Sequence, residues 1–160
     1  MNKKQFDLIN DYFLHTALHL VTLEENYLRQ ICAKDVSIRE LHVIEAVSSL
    51  EGSGKNSMAE VARYLKLSPA LLTTAVNVLV KKQYLEREYS PNDRRVIFVR
   101  LTPKGVEANV RYLGFVKDMI REVGDDLDEQ TADRMIEFIY KLSEYLEDRS
   151  NAMAKISWDD

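Results

Sequence analysis

The chain has 160 residues, 46% of them hydrophobic and 30% charged, which is enough apolar material for one cored domain and argues against a two-domain enzyme. Five glycines and three prolines leave too few tight turns for a sandwich or barrel, and a single cysteine, Cys32, excludes an intrachain disulfide framework and suits a reducing compartment. The net charge of −4 would by itself speak against nucleic acid, but residues 55–104 carry ten Lys and Arg against four acids, so a segment of +6 stands beside a remainder of −10.

Apolar side chains at Phe6, Ile9, Phe13, Ala17, Leu20 or Val21, Leu28 and Ile31 approximate a helical stripe, which predicts one long helix over residues 4–32. Ser37-Ile38-Arg39-Glu40 has the spacing of a capping box and opens a second helix through Leu41, Ile44 and Val47. Gly52 and Gly54 end it. Ser57-Met58-Ala59-Glu60 repeats the box before a short helix over Val61, Ala62 and Leu65. Ser68-Pro69 then supplies an N-cap and a first-turn proline for a helix running to about Lys82. The short connection between these two helices is that of a helix-turn-helix.

After Tyr84 the period changes to alternation. Residues 85–89 and 96–101 flank the turn formers Ser90, Pro91, Asn92 and Asp93, which predicts a β-hairpin. Thr102-Pro103 launches a fifth helix through Val106, Val110, Leu113, Val116 and Ile120. Gly124 to Asp128 breaks it, and a last helix follows from about Asp128 to Asp148, with a frayed tail beyond Ser150 apart from whatever Trp158 touches. The fold class is therefore mainly α with a small β-hairpin wing: a winged helix-turn-helix inside a helical body.

In that layout the second helix of the pair enters the major groove and the hairpin reaches to the backbone or minor groove. Within the candidate recognition helix, Leu72, Val76 and Leu79, with Ala75 beside them, should face the domain core. Ser68, Ala70, Leu71, Thr73, Thr74 and Asn77 then face outward, flanked by Pro69 and Lys81. Such side chains suit base edges: Asn77 pairs bidentately with adenine, the threonines take donors or acceptors, and Ala70 or Leu71 meets a thymine methyl. At the hairpin tip, Asn92, Asp93, Arg94 and Arg95 place arginine where a narrow minor groove attracts it, with Asp93 as orienting partner of a neighbouring arginine. A charged turn alone is ordinarily just solvated; the adjacent helix-turn-helix is what favours a functional reading.

The segments Met58-Ala59-Glu60-Val61-Ala62, Leu67-Ser68-Pro69, Asn77 to Leu79, Leu85-Glu86-Arg87, Asp93-Arg94-Arg95 and Leu101-Thr102-Pro103-Lys104-Gly105 resemble the DNA-binding core of the MarR family of bacterial regulators. The resemblance implies a winged helix-turn-helix over residues 37–105, a helical dimerisation region from 1–36 and 106–150, a flexible tail at 151–160, and a homodimer straddling a pseudo-palindromic operator in double-stranded DNA. It also implies that Arg95 lies in the minor groove, tethered by Asp93. Thr74 and Val78 depart from the polar or basic residues common there, so base specificity does not carry over.

Residues 34–45 further resemble the MarR-type repressors of fatty-acid synthesis genes, whose corepressor is an acyl chain on acyl carrier protein. That likeness implies an apolar tunnel between the first, second and fifth helices, with Phe13, His15, Leu18, His19, Leu41, His42 and Tyr112 as candidate lining residues, and acyl carrier protein as a partner. A small aromatic or phenolic ligand, or zinc, is the alternative effector within the family.

Glu24, Cys32, His42 and Glu107, with Glu40 and the pair His15 and His19, could be drawn into a zinc site. The histidines that zinc-using relatives carry on the fifth helix fall here at Ala108 and Tyr112, which leaves the set short of ligands, so no metal and no other cofactor is expected. Cys32 reads better as a structural cysteine than as a peroxide-sensing thiol, because reactivity requires a setting that stabilises thiolate. No phosphate loop, HExxH, GxSxG or nucleophile and base pairing is present, so catalysis is not expected. The absence of a spanning apolar run or signal peptide leads us to expect a cytoplasmic protein with no membrane association. The rival class is a winged-helix adaptor that binds a partner without DNA.

Overall fold

The computed structural model describes residues 1–29 and 35–156, and side chains as far as Ala152. The elements run α1 (Lys3–Tyr27), α2 (Ile38–Glu51), α3 (Met58–Tyr64), α4 (Pro69–Lys81), β1 (Leu85–Tyr89), β2 (Ile97–Leu101), α5 (Pro103–Gly124) and α6 (Glu129–Ile156). Mainly helical with one antiparallel hairpin, this is the expected class.

The capping residues act as their spacing predicts. Ser37 and Ser57 each accept from the backbone N–H three residues on, while Glu40 and Glu60 reach back to the serine N–H. Ser68 accepts from the Leu71 N–H at 3.3 Å and Thr102 from the Gly105 N–H at 3.1 Å, each ahead of a first-turn proline. Asn2 and Gln5 form a third box that starts α1. The helix ends are equally local. Lys66 N–H donates to the Arg63 carbonyl and Leu67 N–H to that of Ala62; Gln83 and Tyr84 do the same toward Val80 and Leu79. These are Schellman closures, and they hold Lys66 at φ +54° and Gln83 at φ +65°.

The core is built around α2. Leu41, Val43, Ile44, Ala46 and Val47 are fully buried against Val61 of α3, Leu72, Val76 and Leu79 of α4, Leu85 of β1 and Val99 of β2. Each such aliphatic side chain contributes about 1.5–3 kcal/mol by leaving water, so the winged module holds itself together. α5 docks on it through its first turn. A Cβ on Gly105 would lie 2.1 Å from the Tyr84 carbonyl oxygen, so only glycine allows this approach. Thr102 Oγ1 donates to the Gln83 carbonyl at 2.6 Å, and Lys104 Nζ donates to that of Lys82 while sitting 4.0 Å from the centre of the Tyr84 ring.

α1 and α6 contrast with this core. Phe6, Ile9, Tyr12, Phe13, Leu14 and Leu18 of α1, and Ile136, Phe138, Ile139, Tyr145 and Leu146 of α6, are exposed. α6 also runs past its expected end at Asp148 and is helical through Ile156, so the segment expected as a loose tail from residue 151 is helix for its first six residues. Ala, Met and Lys with no proline or glycine favour that continuation. The expectations for Cys32 and Trp158 lie outside the described residues. No described helix is long and apolar enough to cross a membrane.

Candidate nucleic-acid interface

The amphipathic split predicted for α4 is present. Leu72, Val76 and Leu79 have no exposed surface and Ala75 is half-buried, while Pro69, Ala70, Leu71, Thr73, Thr74, Asn77 and Lys81 are exposed and Ser68, the N-cap, is half-buried. Leu71 is 53% exposed, an apolar residue standing out among polar ones. The threonines are narrower in their chemistry than the sequence suggests. Thr73 Oγ1 donates to the Pro69 carbonyl at 2.7 Å and Thr74 Oγ1 to that of Ala70 at 3.0 Å. Their protons are thus committed to the helix, and outward they offer a methyl group and acceptor lone pairs.

The wing is a two-stranded antiparallel ladder with Leu85 opposite Leu101 and Tyr89 opposite Ile97. Its tip is shaped by its own side chains. Ser90 Oγ accepts from the N–H groups of Asn92 and Asp93 at 3.3 and 3.4 Å, and Asp93 Oδ1 accepts from the backbone N–H of Arg95 at 2.9 Å. Asp93 thus meets Arg95, the arginine it is expected to orient, through the main chain: its carboxylate closes an Asx turn on the amide two residues on. Asn92, Asp93, Arg94 and Arg95 are all exposed.

Four of the ten cations in residues 55–104 are paired: Lys66 with Glu147, Lys82 with Glu40, Arg100 with Glu88 and Glu51, and Lys104 with Asp35. Lys55, Arg63, Lys81, Arg87, Arg94 and Arg95 are exposed and form no ion pair with a described residue. Glu40, Glu51 and Glu88 are thus matched to Lys82 and Arg100, and the cations left without a described partner include Lys81 at the end of α4 and Arg87, Arg94 and Arg95 on the wing. Burial works against ionisation of Glu40, but the Ser37 amide and the Lys82 ammonium outweigh it and hold its carboxyl below the usual range. The Tyr84 hydroxyl, donating at 2.8 Å, holds Asp35 below its ordinary value with help from Lys104.

Sequence reasoning passed over the residue that fixes the wing to the helices. Asn56 is buried; its side-chain amide donates to the Val99 carbonyl at 2.7 Å and its backbone carbonyl accepts from the Val99 N–H at 2.9 Å. One residue thereby satisfies both main-chain groups of the central residue of β2. Nothing in its local sequence announces this, since the partner is 43 residues away.

The candidate effector residues fall into two groups. Tyr112 is buried and donates to Glu24 Oε1 at 2.7 Å, and the His42 ring lies 6.3 Å from its ring. Burial, and then the Glu24 carboxylate, push the Tyr112 hydroxyl well above its ordinary range, so it stays protonated. Phe13, His15, Leu18 and His19 instead stand on the exposed length of α1, with the two histidine rings 6.4 Å apart, edge to face. Leu41 is fully buried in the α2 core. The described residues of the single chain therefore do not gather these seven into one tunnel, because none of them covers that stretch of α1. Glu107 pairs with Arg111, and the described residues contain no cluster of three metal-ligating side chains.

Comparison with known proteins bears on this geometry. A MarR family model matches residues 34–96. The HTH-type transcriptional regulator YhbI of Bacillus subtilis (strain 168) is 38% identical over 55 residues, which are 34% of this chain and 36% of that protein. The chain thus spans about a third of that relative. The Streptococcus pneumoniae FabT structure in complex with DNA superposes with a TM-score of 0.81 at 30% identity, covering 89% of this chain and 98% of FabT. The S. aureus MepR structure, also a DNA complex, shares the fold at a TM-score of 0.70 and 15% identity, over 84% of this chain and 94% of MepR.

Proposed function

This chain belongs to the MarR family of transcriptional regulators, and from that premise we propose that it acts as a homodimeric, sequence-specific DNA-binding repressor whose grip depends on an effector. The observation that carries this reading is one module, packed on a common core, that exposes both the polar face of α4 and a wing tip whose Arg94 and Arg95 form no ion pair with a described residue. Residues 37–105 are the DNA-binding unit. Ser68, Ala70, Leu71, Thr73, Thr74 and Asn77 read the major groove, Lys81 meets phosphate, and Arg94 and Arg95 enter the minor groove.

Residues 1–36 and 106–150 form the dimerisation body. Apolar faces as wide as those of α1 and α6 are untenable in a soluble single chain, and a second copy would cover them. The operator is accordingly a pseudo-palindrome, read once by each winged module.

The regulated genes are those of fatty-acid synthesis and the effector is an acyl chain on acyl carrier protein. The resemblance of residues 34–45 to that subgroup supports this, and the likeness to FabT points the same way. The completed dimer would place α1 of either copy against Tyr112 and His42.

Fluorescence anisotropy on a randomised duplex pool, followed by selection, tests the central claim. Binding should weaken steeply as salt rises, since each neutralised phosphate releases a counterion. Indifference to every duplex would leave the adaptor reading in its place. Titration of selected duplex with acyl-loaded and unloaded carrier protein tests the effector: only the loaded form should shift affinity.

A further inference from the structure

Lys66 and Glu147 meet across the molecule. Lys66 Nζ lies 2.8 Å from Glu147 Oε1, 81 residues away in sequence. Every other ion pair among the described residues closes within residues 35–104 or between neighbours three or four apart. This one joins the helix-turn-helix to α6, a helix with no buried side chain among those described. Between the two lies a cleft of about 340 Å³ lined by Leu50, Lys55, Glu60, Arg63 and Tyr64, and the pair spans it.

Lys66 also occupies an unusual place. It is the left-handed residue of the Schellman closure that ends α3, at φ +54°. Glycine is the ordinary choice there, and any side chain costs the turn energy. Gly54 meets the corresponding need after α2 at φ +69°. The turn therefore does not ask for a lysine. What the lysine adds is an ammonium on Glu147.

We propose that the Lys66–Glu147 pair is a positioning tie that sets the tilt of each winged module against α6, and through it the separation of the two recognition helices, so that these two residues determine which half-site spacing the dimer accepts. The inference rests on the dimeric DNA-binding reading above. Adding one base pair between half-sites moves them apart by about 3.4 Å and turns them by about 35°. A module held at one tilt discriminates against that change, and a loose one tolerates it. With side chains 37% and 57% exposed, the pair is weak, biasing the tilt by at most about fivefold. It contributes little to folding.

The test uses the full-length dimer, a duplex selected on the parent protein, and versions of that duplex with one base pair inserted or removed at its centre. Lys66→Gly removes the ammonium and suits φ +54°, so the variant should melt no lower than the parent. It should bind the selected spacing about two- to fivefold more weakly and lose most of its discrimination against the altered spacings, with binding to random duplex changed equally little for all. Glu147→Gln should give the same profile, and Lys66→Glu combined with Glu147→Lys should restore the parent's.

A lysine that merely touches phosphate behaves otherwise. Lys66→Gly would then weaken every duplex alike and lower the salt slope by about one, while Glu147→Gln would strengthen binding. Opposite signs for the two variants, or an unshifted spacing profile in both, overturn the tie while leaving DNA binding intact. A parent that ignores all duplexes overturns the DNA-binding reading and the tie with it.

Discussion

The winged module and the α1–α6 body are built on opposite terms. In the module, α2 sits at the centre of a cluster of aliphatic side chains with almost no exposed surface, and Glu40 and Glu51 pair with the module's own Lys82 and Arg100. In the body, a 25-residue helix and a 28-residue helix display aromatic and branched side chains on the outside. Both regions are amphipathic in sequence, yet among the described residues the apolar faces of α1 and α6 stay largely exposed while those of the module are covered. One part of the protein thus buries its apolar face within the chain, and the other leaves aromatic and branched side chains exposed, the surface on which the proposed dimer rests.

The largest effect that would test this contrast concerns Leu41, which was a candidate for an effector pocket and is fully buried in the module's core. Leu41→Ala should lower unfolding free energy by about 2–5 kcal/mol in denaturant titration. A loss below about 1 kcal/mol would mean that the site is a lined cavity after all.

Next comes the body. Ile139→Glu should leave the module's thermal unfolding and circular dichroism unchanged while shifting sedimentation from dimer toward monomer, costing the interface about 1.5–3 kcal/mol per buried isoleucine. A variant that stays dimeric would place the interface on another face.

Arg95→Ala should cost about 1–3 kcal/mol of affinity for the selected duplex with no change in melting temperature or sedimentation, because the exposed guanidinium pairs with no described residue. An unchanged isotherm removes the wing tip from the interface.

The smallest effect is electrostatic. Glu40 is held below its ordinary value of 4.5 in the folded chain, so its contribution is present above that pH and is lost as pH falls through the lower folded value. Glu40→Gln should therefore cost about 1 kcal/mol or less at neutral pH and flatten the acid limb of stability below about pH 4.5. An acid limb identical to the parent's would assign that loss to other carboxylates.

Much of the module was legible from local chemistry. Ser37, Ser57, Ser68 and Thr102 announced four helix starts, because a cap and the amide it satisfies lie within three residues of each other. The buried and outward faces of α4 followed from a 3.6-residue period. The wing tip was only half legible: the cluster from Asn92 to Arg95 stood out, but that Asp93 would act on the Arg95 amide depended on the turn's backbone path.

By itself, then, the sequence determined where helices begin, which face of each is apolar, and where positive charge accumulates, since all three arise from interactions within a few residues. Tertiary structure alone decided that Asn56 clips Val99, that Gly105 is pressed on the Tyr84 carbonyl, and that Lys66 reaches Glu147. Those contacts join residues about 20 to 80 apart in the chain, and such pairings depend on how packed elements happen to meet in space, which no local pattern encodes.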